Sequence, residues 1–187
     1  MVSKTHDLGA FASLITAAVL YPPPPVGLGT ALAAMIFNII GALLPDIDQA
    51  SNRLWDLLPG GNFLGKILRN LFLAHRTISH SLLGLWLTYK ISQWLIPQIF
   101  NAGFIKPEII ITALMIGYIS HLFMDGLTEE GIPLLFPIKL KFGLPPIKRM
   151  RIKTGHWFEK WIIFPLLIVY IIGFGFLNWQ SLWNVVK

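Results

Sequence analysis

A chain of 187 residues, 55% of them hydrophobic and only 13% charged, with a mean hydropathy of +0.65, has the length of one domain but is too apolar for an ordinary water-soluble one. Its net charge of +6 does not point to nucleic acid, because the basic residues fall between apolar segments instead of lining one polar face. With no cysteine in the chain, disulfides, thiolate metal sites and cysteine nucleophiles are excluded, so any metal must be held by nitrogen and oxygen.

In chain order, residues 8–21 predict a short apolar helix that stops at the proline run 22–25 and reads as tilted or partly inserted. His6 and Asp7 interrupt the join between Lys4 and this stretch, and prolines stand where a cleavage site would need small residues. The segment therefore does not read as a secretory signal and is expected to be retained. Residues 26–44, 79–100, 109–127 and 161–179 each supply the roughly 20 mainly apolar residues that span a bilayer. The connection 45–78 contains Gly60, Gly61 and Asn62, then Phe63, Ile67, Leu71 and Ala74 at helical spacing, which predicts a short interfacial helix over 63–74. Prolines at 133, 137, 145 and 146 make residues 134–152 an irregular or hairpin loop. The expected fold is all-α, an integral membrane helical bundle with four to five transmembrane helices and a short interfacial helix, in a single domain over residues 1–187.

Positive charge orients the bundle. Arg53, Lys66, Arg69 and Arg76 lie in one long connection, and Lys139, Lys141, Lys148, Arg149, Arg151, Lys153 and Lys160 lie before the last span. These two connections alternate to the same side and read as cytoplasmic, whereas the opposite connections carry only Lys106. The chain is therefore expected to be a multi-pass protein of the cytoplasmic, or inner, membrane.

On this topology His6, His75, His80, His121 and His156 all fall at the cytoplasmic face, together with Asp46, Asp48, Asp125 and Glu159. Ionisable groups at membrane depth are costly and usually functional. His121 and Asp125 are four residues apart, hence on one helix face, where both can grip one cation. Asp46 and Asp48 follow Pro45 in a predicted turn, where both can face a cation or divide into ligand and base. In the stretch from His75 to Ser81, Ser79 and Ser81 can cap the incoming helix and Arg76 can hold an anionic oxygen through a forked hydrogen-bond pair. Each element alone has a plainer reading: a hydrogen-bonded structural histidine, solvated helix-end carboxylates, a bracing pair between helices, or basic residues that serve topology and anionic lipid. Their convergence on one face favours a metal site.

Four motifs taken together, His6, Gly41-Ala-Leu-Leu-Pro-Asp-Ile-Asp48, His75-Arg-Thr-Ile-Ser-His-Ser81 and Gly117-Tyr-Ile-Ser-His-Leu-Phe-Met-Asp125, resemble the LexA-regulated, inner-membrane-associated metal-dependent hydrolase family. The resemblance runs in order from His6 to Glu159, with Thr154-Gly155 and Glu159 similar to the family's closing element. It implies a helical membrane protein with the His and Asp motifs as metal ligands and a hydrolytic activity. His156 is outside that pattern and is not included in the site.

These readings give an expected ligand set of His6, Asp46, Asp48, His80, His121 and Asp125 for one or two divalent cations, Zn first, with Mn or Fe also suited to imidazole and carboxylate. A metal-activated water would be the nucleophile, Asp48 or Glu159 the general base, and His75 or Arg76 the group that steadies negative charge. At headgroup depth beside basic residues, the expected partners are membrane lipids and an amphiphilic substrate with an anionic head, a phosphoester before an amide or carboxylic ester. No nucleic-acid partner is expected, and the sequence names no protein partner. Two other classes compete. A metal or proton transporter would place ionisable groups near the midplane, and a non-catalytic scaffold would close all coordination positions around a structural metal.

Overall fold

The computed structural model describes residues 1–47, 78–138 and 140–186, and its regular structure there is helical, with only isolated β-bridges besides. The helices are α1 (Ser3–Leu20), α2 (Leu28–Leu43) continued by a 3-10 turn (Leu44–Asp46), α3 (Leu82–Ile99), α4 (Pro107–Gly126), a π-helical turn (Glu159–Ile163) running into α5 (Phe164–Leu177), and α6 (Trp179–Val185). The chain is thus the expected all-α bundle. Leu28–Asp46, Pro107–Gly126 and Glu159–Leu177 are long and apolar enough to cross a membrane. The 18-residue helices α1 and α3 are each about 27 Å long, close to the roughly 30 Å of a hydrocarbon core. The interfacial helix expected at 63–74 lies outside the described residues.

Two element boundaries differ from the expectation, each for a tertiary reason. Helix α1 begins at Ser3, not at residue 8, so His6 sits inside the helix instead of before it. The N–H of its N-cap residue, Val2, is satisfied by the Glu159 carboxylate at 2.7 Å, a contact made 157 residues away in sequence. The turn expected around Asp46 is a 3-10 continuation of α2, because Pro45 has no N–H for the α-helical ladder while the tighter turn still forms. At the far end, the Val26 N–H donates to the Val185 carbonyl at 2.8 Å and ties the start of the α2 segment to α6.

Helix α4 is the inner helix of the bundle, touching α1, α2 and α3. Its approach to α2 is set by two glycines. A Cβ on Gly117 would lie 2.0 Å from the Asn38 carbonyl oxygen, and one on Gly41 would lie 2.0 Å from that of Leu114. Small residues at such a crossing let backbones meet directly, which in lipid supplies the packing that apolar burial cannot. Buried Asn38 adds a hydrogen bond from Nδ2 to the Ala113 carbonyl at 3.0 Å. Ala33, Ile96, Ile110 and Leu114 form one apolar cluster, and Tyr118, Leu122 and Ile132 form another nearer the C-terminal end of α4. Helix α5 has no fully buried residue and exposes Leu166, Val169, Ile172 and Phe176, the surface of a helix that faces lipid.

The connection after α4 folds back as the proline spacing predicts. Ile132 and Phe142 exchange two backbone hydrogen bonds of 2.8 Å, and the Ile152 N–H returns to the Leu127 carbonyl at 3.0 Å. Arg151 fastens the inside of the loop, donating from Nε to Pro145 O at 2.7 Å and from a terminal nitrogen to Pro146 O at 3.0 Å.

Candidate metal centre

Four separate elements deliver side chains to one buried point at the end of the bundle where α1 begins and α4 ends. Helix α4 contributes His121 and Asp125, one turn apart on its inner face. The 3-10 turn after α2 contributes Asp46, and α1 contributes His6 from its first turns. His80 comes from the turn that leads into α3. Ser81 caps that helix, its Oγ accepting the Gly84 N–H at 3.2 Å and donating to the Ile78 carbonyl at 2.6 Å. The Tyr118 hydroxyl donates to the Ser79 carbonyl and fixes the same turn against α4.

The polar atoms converge. His80 Nε2 lies 3.4 Å from Asp46 Oδ1 and 3.5 Å from Asp125 Oδ2, and His121 Nε2 lies 3.8 Å from each of those oxygens. His6 Nε2 is 3.2 Å from Asp125 Oδ1, and the His6 ring stacks on that of His121 with centroids 3.9 Å apart. Ligands about 2.1 Å from a shared tetrahedral centre stand roughly 3.4 Å from one another. The observed separations are of that size, and two overlapping groups, His6 with His121 and Asp125, and Asp46 with His80 and His121, can each hold a metal ion.

Burial and tautomer add a second argument. His6, His80, His121 and Asp125 are at most 1% exposed, whereas the Asp46 side chain is 22% exposed. His121 Nδ1 is 2.6 Å from the Ala42 carbonyl oxygen. A carbonyl only accepts, so Nδ1 carries the proton and Nε2 presents a lone pair toward the two carboxylates. That Nε2 is buried with no hydrogen-bond partner. An orphaned acceptor in an apolar interior costs about 1–3 kcal/mol, a cost that coordination of a cation removes. The carbonyl behind the ring is the usual partner that orients a metal-ligating histidine.

Of the residues expected at the site, His6, Asp46, His80, His121 and Asp125 are brought together, while Asp48, His75 and Arg76 lie outside the described residues. Glu159 is placed differently. It is fully buried, but its oxygens accept the Val2 N–H and the Gly155 N–H, both at 2.7 Å, so it clamps the start of α1 to the last span instead of joining the convergent groups. Gly155 adopts φ +73°, a conformation that leaves its N–H free to reach that carboxylate. His156 is exposed, as fits its omission from the site.

Two participants were not anticipated from the sequence. One is the Ala42 carbonyl, a backbone atom whose only trace is Gly41 beside it and Gly117 one turn before His121. The other is the Met1 ammonium, 2.6 Å from Asp125 Oδ1, which leaves Oδ2 to face His80 and His121. No residue pattern announces either.

The model of the YdjM inner membrane protein family matches residues 1–182. An uncharacterized Bacillus subtilis protein, YvsG, is 34% identical over 163 residues, covering 87% of this chain and 88% of its own length. The inner membrane protein YdjM of Escherichia coli is 27% identical over 168 residues, covering 90% of this chain and 80% of its own length. No solved structure matches. The motif resemblance and the family match agree, and together they place this chain in the YdjM inner membrane protein family.

Proposed function

We propose that the protein is a membrane-bound metal-dependent hydrolase, its site facing the cytoplasm, that cleaves an ester or phosphoester of an amphiphilic, lipid-like substrate. The observation that carries this reading is the His121 ring, with Nδ1 fixed on the Ala42 carbonyl and buried Nε2 turned without a hydrogen-bond partner toward two carboxylates. Imidazole and carboxylate donors without thiolate suit Zn first, then Mn or Fe. When bound, such an ion supplies a Lewis acid that acidifies water and polarises the scissile oxygen.

The residues of this chain divide the remaining work. His6, His80, His121 and Asp125 hold the cation from the buried side, and partly exposed Asp46 holds it from the side substrate approaches. A catalytic metal needs one open position, whereas a structural one is closed on all sides, and the exposure of Asp46 is what favours the catalytic reading. Asp48, two residues on, takes the proton as general base, because the oxygens of Glu159 are engaged by backbone N–H groups. His75 and Arg76 steady the anionic head of the substrate, and the exposed Lys148, Arg149 and Lys153 raise the local concentration of anionic lipid.

The test is release of inorganic phosphate from phosphatidylcholine vesicles containing phosphatidic acid, with Zn-loaded protein and His121→Ala compared. Phosphate release by wild type alone supports the proposal. If the protein retains metal tightly yet hydrolyses neither this lipid nor ester and phosphodiester lipids, the site is a structural metal centre in a non-catalytic scaffold.

A further inference from the structure

We infer that the cleft between α2, α3 and α4 is the binding site for an acyl chain of the amphiphile whose head lies at the metal centre, an assignment that rests on the function proposed above. Helix α3 packs chiefly on α4 and makes little contact with α2. This leaves a cavity of about 440 Å³ walled by Phe37 and Ile40 of α2, by Leu87, Ile91 and Leu95 of α3, and by Leu114 of α4, within the usual range of about 300–1,000 Å³ for ligand sites. The cavity runs from Gly84 to Ile99 along α3, a length of about 22 Å at the helical rise per residue. An extended acyl chain suits such a long, apolar and narrow space.

Two observations connect this cleft to the site. The end of the cleft nearest the site is made by Leu44, Ile47, Ile78 and Ser79, each within two residues of Asp46 or His80. Asp46 is also the one member of the convergent group with appreciable exposure, so the cleft ends where the site is open. Its sides are open to lipid, since Ile91, Leu95 and Ile99 are 57%, 41% and 59% exposed. The larger cavity between α1, α4 and α5 is also open to lipid and reaches the site through Met1, Ser120 and Met124, but the groups it reaches there, His121 and Asp125, are fully buried, and two of its lining side chains are joined by the 2.7 Å hydrogen bond between Thr16 Oγ1 and the Tyr170 hydroxyl. A chain entering sideways between α2 and α3 brings its headgroup to Asp46 without leaving the bilayer.

The experiment is photolabelling of metal-loaded protein in phosphatidylcholine nanodiscs containing phosphatidic acid with a diazirine in mid-chain, with labelled residues mapped by mass spectrometry. Leu87, Ile91 and Leu95 are expected to label about tenfold more than Trp94 and Ile172, although these two are the more exposed, a ratio that corresponds to about 1.4 kcal/mol of preferential occupancy. Leu87→Trp, on the rim of the cleft, is expected to abolish that preference with metal content unchanged. Even labelling of cleft and outer positions in wild type means an ordinary lipid annulus only and overturns the assignment. Cleft labelling in a protein that binds no metal supports the acyl site and overturns the hydrolase reading instead.

Discussion

His121 divides its two nitrogens between structure and chemistry. Nδ1 fixes the ring on the Ala42 carbonyl, and Nε2 is directed into the group formed with Asp46, His80 and Asp125. His121→Ala is therefore expected to lose bound metal while keeping the fold, since the helix crossing does not depend on the ring. Glu159 acts one step further out, through Val2 to the first turns of α1 and so to His6. Replacing a group that orients a ligand typically costs 10–100-fold in metal affinity, and Glu159→Gln, which puts an amide donor opposite one of two N–H donors, is expected to weaken metal binding by about tenfold. A general-base role predicts the opposite pattern, with metal affinity intact and turnover lost, so a chelator titration of the variant separates the two.

At the scale of elements, the crossing of α2 and α4 sets the distance between Ala42 and His121. Gly117→Ala places a methyl carbon against the Asn38 carbonyl, and overpacking of this kind costs about 1–3 kcal/mol, which should appear as a lowered Tm in detergent together with loss of metal. Asn38→Val removes one buried hydrogen bond at the same crossing, and such bonds between membrane helices are worth only about 0.6 kcal/mol on average. The glycine variant is expected to be the more damaging, and equal effects would mean that polar contact, not close approach, holds the crossing. The spans were legible because hydropathy is a one-dimensional property, and His121 with Asp125 was legible because their spacing alone fixes a shared helix face. The early start of α1 was not, because Lys4, His6 and Asp7 read as a polar flank until Glu159 is seen to hold Val2. The clamp role of Glu159 was hidden for the same reason, since its partners are backbone atoms supplied by tertiary structure.

For the whole molecule, the charge pattern predicts an orientation that the absence of cysteine makes simple to test. Single cysteines at the exposed positions Lys148 and Asn101 report the two faces. In intact spheroplasts a membrane-impermeant maleimide is expected to label Asn101→Cys and to reach Lys148→Cys only after lysis, because the Lys and Arg excess stays inside. The reverse pattern would put the metal centre on the outer face and remove the cytoplasmic substrate pool from the proposal.

The most direct measurement is the metal content of detergent-purified protein by elemental analysis, with His121→Ala and Asp125→Ala prepared alongside and their helicity and Tm checked first. Near-stoichiometric Zn, Mn or Fe in wild type, lost from both folded variants, is the predicted result. A wild type that holds none of these ions, even after reloading, would contradict the account.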